Sequence, residues 1–169
     1  GATPTKEAPP AMAAPTAAPR HDATTLIRYG VLALAAAGTV GAAYELAAER
    51  HWGSPLKMIP WVAVIALAVS VVTALSPAPR MVLVTRVLAA AVLGASLFGI
   101  AYHVLENLHA GHLDPAFGLG FKELPRLEQI WYAATKTVGE APPLAPGMLG
   151  QSALLVALST LGRRDVKGR

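Results

Sequence analysis

Cysteine is absent from the chain. That absence excludes disulfides, thiolate metal sites, iron–sulfur ligation and cysteine nucleophiles together. Charge is also scarce: Asp, Glu, Lys and Arg make up 14% of residues, against roughly 25% in an average soluble domain. Aromatic residues reach only 6%, and no basic stripe interleaved with aromatic side chains marks a nucleic-acid surface. No HExxH motif and no Ser/His pair occurs within the apolar stretches, so the sequence points away from an enzyme. Those stretches also lack the midplane charges or paired broken helices expected of a transporter or channel, which therefore ranks third among the functions considered.

What the sequence has is apolar residue, 54% of it, gathered into blocks with the charges between them. The blocks run from about 26 to 48, 56 to 75, 81 to 105 and 144 to 161, near the roughly 17 to 25 residues that cross a hydrocarbon layer. The expected fold class is all-α: an integral membrane four-helix bundle with an extended N-terminal tail and an outer amphipathic helix. Pro55 and Pro60 suit the start of the second helix, where first-turn amides have no partner within the helix. The sequence Ser76-Pro77-Ala78-Pro79 makes a reversal into the third. Pro146 and Gly147 suit the start of the fourth, which is barely long enough to cross.

Orientation follows from Lys and Arg near the helix ends. Arg80 and Arg86 give the loop between helices two and three a charge of +2. Arg163, Arg164, Lys167 and Arg169 against Asp165 give the basic tail 163–169 a charge of +3. Residues 45–57 sum to zero and residues 104–143 to −2. Both termini are accordingly expected on the cytoplasmic side of a bacterial inner membrane.

Residues 1–23 contain prolines at 4, 9, 10, 15 and 19 and show no apolar periodicity. They read as an extended cytoplasmic tail, pre-stiffened for docking on a partner protein, and Gly1 as the residue left by an initiator Met. The outer connection 106–143 contains a helix expected over about 125–137. Leu127, Ile130, Trp131 and Ala134 fall on one face there. That helix can lie on the membrane surface, with Trp131 and Tyr132 at headgroup level, or pack over the end of the bundle.

The chemistry-bearing residues cluster at the end of the third block: Tyr102, His103, Glu106, His109 and His112. Residues three apart share a helix face, so His103 with Glu106, and Glu106 with His109, are neighbours. Glu106-x-x-His109 has the spacing of a di-iron carboxylate motif, but such sites use two copies and the chain has one. Gly111 is expected to end the helix before His112. Glu45, at the outer end of helix one, is expected near the same level. Three readings stand side by side: a hydrated interfacial cluster, a site where His103 binds haem, chlorophyll or a metal with support from Glu106 and His109, and a proton relay.

Small residues at packing spacing, Gly30, Gly38 and Ala42 in helix one and Ala91, Ala95 and Gly99 in helix three, let helix backbones approach each other or a partner chain. The stretch from Tyr102-His103 through Trp131 to Pro142-Pro143-Leu144-Ala145-Pro146-Gly147 and Gln151 resembles an uncharacterised family of bacterial multi-pass membrane proteins. It departs from the family pattern at Glu106, His109 and His112. The resemblance implies a multi-pass layout and brings no activity with it. The functional expectation is a non-catalytic accessory subunit of a larger membrane assembly, respiratory or photosynthetic, in contact with other membrane subunits and lipid. A cofactor-binding or redox protein built on His103 is the alternative.

Overall fold

The computed structural model describes residues 23–163. The expected tail 1–23, apart from Ala23, and the basic tail beyond Arg163 lie outside the described residues. Among the described residues the chain is entirely helical: α1 (Ala23–Ala48), α2 (Pro55–Leu75), α3 (Pro79–Gly111), α4 (Arg126–Ala134) and α5 (Leu144–Ser159), with a 3-10 helix over Gly118–Glu123. Three helices, α1, α2 and α3, are long and apolar enough to cross a membrane. At 16 residues α5 is about 24 Å long, short of the roughly 20 residues a full crossing takes.

Local signals set the boundaries. The Ser54 hydroxyl accepts from the Lys57 amide at 3.3 Å and caps α2, while Pro55 occupies its first turn. Pro79 does the same for α3. α3 continues to Gly111, six residues past the expected end at Leu105, and is 33 residues long. Its last turns therefore stand clear of the other helices and carry a second small core.

α1, α2, α3 and α5 pack side by side around one buried cluster that includes Leu32, Leu67, Val92 and Val156. Buried positions in α1 (Leu32, Ala35, Thr39, Ala42) and α3 (Val82, Thr85, Ala89, Val92, Ser96) recur at helical spacing and are mostly small. The large aliphatic residues point the other way: Leu34, Val40, Val62, Ile65, Val72, Val87 and Leu97 are all exposed. A soluble protein does not present such a continuous apolar exterior.

Hydroxyls stitch the small inner faces. Thr39 donates to Ala35 O at 2.7 Å and Ser70 to Leu67 O at 2.9 Å, each within its own helix. The Thr73 and Thr85 hydroxyls lie 2.8 Å apart and join α2 to α3. Ser96 bonds between helices, its hydroxyl donating across to Pro146 O in α5.

At the far end of α3, Phe121, Ala133 and Val138 close over Leu108. Asn107, 1% exposed, ties this cap together. Its amide donates to Ala133 O (2.9 Å) and Ala141 O (2.8 Å), and its carbonyl accepts from the Ala141 amide (3.0 Å). Gly139, with φ of +71°, passes directly against Asn107, where a side chain would collide.

α4 packs on α3 by a face other than the apolar one. Gln129 and Ala133 are buried, and Tyr132 packs on Phe117 at 5.4 Å between ring centres. Leu127 and Trp131 remain 79% and 65% exposed, and Ile130 is exposed as well. Gln129 is drawn inward because its amide donates to Leu124 O at 2.8 Å.

A candidate ligand vestibule

The end of the helices that carries Glu45 and His103 opens into a cavity of about 250 Å³ between α1, α2, α3 and α5. Its depth is apolar and small, with Ala42, Ala63, Ala95 and Leu149. Its rim is titratable: Glu45 and Glu49 from α1 and the turn after it, His51 from the α1–α2 loop, Lys57 from α2, and Tyr102, His103 and Glu106 from α3. Close packing below the rim sets the shape. A Cβ on Gly99 would sit 2.9 Å from Pro146 Cβ, so α3 and α5 meet there as near as backbones allow.

His103 is oriented by the segment leading into α5. Its Nδ1 lies 3.0 Å from Pro142 O. A carbonyl oxygen only accepts, so Nδ1 carries the proton and the neutral ring keeps its Nε2 lone pair free to accept a hydrogen bond or bind a metal. One turn on, Glu106 follows Tyr102 at i+4 on the same face of α3. Tyr102 also stacks on Phe98, with ring centres 6.1 Å apart.

The α1–α2 loop is pinned where the Trp61 indole N–H donates to His51 O at 2.8 Å. Burial holds the His51 ring below the ordinary histidine value of 6.5; Lys57 and His103 push it further down, and Glu49 pulls the other way.

Glu45, His103 and Glu106 thus share one cavity, while His109 is exposed and does not line it. His112 caps α3 and packs edge-on against Phe121 at 5.4 Å. Among the described residues no three His, Asp or Glu side chains are grouped to hold a metal ion. The small-residue positions divide. Gly38 abuts Ser152 and Gly99 abuts Pro146; Ala42 is buried and Ala95 half-buried, whereas Gly30 has open space beside it and Ala91 is exposed.

Sequence reading missed Glu49, His51 and Lys57 as rim residues. The available signal was the short loop 49–54, which must end level with the outer turns of α3 once those helices pack. It also missed a cluster at the opposite end, where Arg28, Arg86 and Arg163 reach across to backbone carbonyls of neighbouring segments. No protein-family model, curated protein or solved structure matches the chain.

Proposed function

We propose that the chain is a four-span membrane protein, with both termini on the arginine-bearing side, and that it binds a small amphipathic molecule in the vestibule. The spanning reading is supported by three long apolar helices, by the outward-facing large aliphatic residues, and by α5 packing alongside the three. Thr160 and Leu161 extend α5 by a turn, which suffices where the bilayer thins locally.

The observation that carries the binding reading is the pairing of an apolar pit with His103 held in one tautomer above it. The cavity lies below the roughly 300–1,000 Å³ of most small-molecule sites. It fits a compact ring or headgroup, with the remainder of the ligand leaving between helices, better than an enclosed tetrapyrrole. His103 Nε2 and the Glu106 carboxylate would hold the polar head.

Purification of the full chain in mild detergent, followed by mass spectrometry and absorption spectroscopy of extracted small molecules, tests this. A molecule retained by the native chain and lost from His103→Ala supports it. A visible chromophore lost in the same variant would favour axial ligation by His103. An identical extract from both proteins overturns the site.

A second reading, an accessory subunit of a larger assembly, is favoured by an open apolar groove between α2 and α3 lined by Met58, Val62, Ala66 and Ala91. Small side chains there let a partner helix approach closely. Co-purification of Ala91→Leu against the native chain tests it, and equal recovery of partner chains would count against it.

A further inference from the structure

The vestibule divides its hydrogen-bonding groups unevenly between donors and acceptors. His103 commits its one N–H to Pro142 O at 3.0 Å, and the Ser96 hydroxyl, also lining the cavity, gives its proton to Pro146 O. What each has left is a lone pair. Glu45, half-buried on the α1 wall, brings a carboxylate that receives no hydrogen bond among the described residues. A carboxylate only accepts, and one partly withdrawn from water gains most from a charged donor.

Charge points the same way. Glu45, Glu49 and Glu106 line the cavity against Lys57 alone, a formal sum of −2. Arg50, exposed in the turn after α1, does not line it; counting Arg50 leaves −1. α2 and α5 begin at this end and α1 finishes there, which adds about half a positive charge and keeps the sign negative. His51 adds none near neutral pH, since burial, with Lys57 and His103 nearby, favours its neutral form. A carboxylate or phosphate head would meet like charge on both α1 and α3. The rings of Phe98 and Tyr102, which line the α3 wall, attract a cation instead.

We propose that the vestibule ligand carries a protonated amine, whose N–H groups donate to His103 Nε2 and the neighbouring Glu45 and Glu106 carboxylates while its apolar body enters the pit. This rests on the vestibule reading and adds the charge class of the ligand. An alkylamine titrates near lysine, at about 10.4, and is therefore charged at neutral pH. A free amine and the ethanolamine headgroup of a phospholipid share this chemistry.

The test uses the full chain in neutral detergent with three photoreactive decyl probes that differ only in the head: amine, alcohol and carboxylic acid. Cross-linked residues are mapped by mass spectrometry, and affinity is read from competition by decylamine, decanol or decanoate. The amine is expected to label within 42–49, 95–106 or 142–149 and to bind roughly tenfold or more tightly than the alcohol, with decanoate weakest. Glu45→Gln/Glu106→Gln should lose that preference and bind amine and alcohol alike. Glu123→Gln, an acid outside the cavity, should behave as the native chain does. Displacement by phosphatidylethanolamine as well as decylamine would assign the site to the lipid headgroup, and displacement by decylamine alone to a free amine; both support the proposal.

The comparison of three heads is made on the native chain, so it stands even where the double variant does not fold. Equal or stronger labelling of these segments by the alcohol or the acid would overturn the amine and leave the vestibule in place. A folded double variant that keeps the native preference would do the same. Labelling by every probe outside these segments would remove the vestibule itself, and the amine with it.

Discussion

Asn107 shows how much a single side chain can hold. It satisfies two carbonyls and one amide from segments 26 and 34 residues away, inside a cap that has few large apolar residues of its own. Asn107→Ala removes all three bonds and leaves their partners buried, at a cost of about 3 kcal/mol. Thermal unfolding in detergent should show that loss, whereas His109→Ala, two residues on and exposed, should stay within about 0.5 kcal/mol of native. His51 sets a pH dependence. Its neutral form is favoured in the folded chain, so between its lowered value and 6.5 the unfolded chain binds more protons. Stability should fall as pH drops through that window and level off beneath it. The Tm profile of His51→Gln should be flatter than the native one over about pH 7.5 to 5; coincident profiles would assign the dependence elsewhere.

At the scale of elements, α1 and α5 depend on Gly38, because a Cβ there collides with the Ser152 hydroxyl. Gly38→Val should destabilise by about 1–3 kcal/mol through overpacking. Gly30→Val, with open space beside it, should change unfolding by less than about 0.5 kcal/mol, both measured by the same thermal assay. The behaviour of α4 follows from its two faces. With Gln129 and Ala133 committed to the cap, Leu127, Ile130 and Trp131 form an apolar surface that lipid headgroups would cover. In a protein whose other tryptophans, Trp52 and Trp61, are replaced by Phe, Trp131 fluorescence should be quenched by lipids brominated near the headgroup. Quenching only by water-soluble agents would place α4 in solvent.

For the whole molecule, the absence of cysteine makes topology directly measurable. Single cysteines at Asp114 or Glu128 should react with an impermeant maleimide added outside intact cells, and cysteines at Arg80 or Arg164 should not. Labelling at position 80 from outside would invert or break the proposed four-span arrangement. Apolar blocks became helices close to where composition located them, because a backbone without water must satisfy its own hydrogen bonds within the segment. The face that α4 buries was not legible, since tertiary bonds from Gln129 outweighed the stripe formed by Leu127, Ile130 and Trp131. The sequence by itself determined the helical class, the positions of the main apolar segments and the segregation of acids from arginines along the chain. Only the tertiary structure decided that His51 and Lys57 share a cavity with Glu45, His103 and Glu106, and that three distant arginines meet at two helix ends. The physical reason is that helices apolar on every side carry no stripe to mark the inward face, so their rotation and axial offset emerge only when Gly38, Gly99 and the hydroxyls between them lock the helices together.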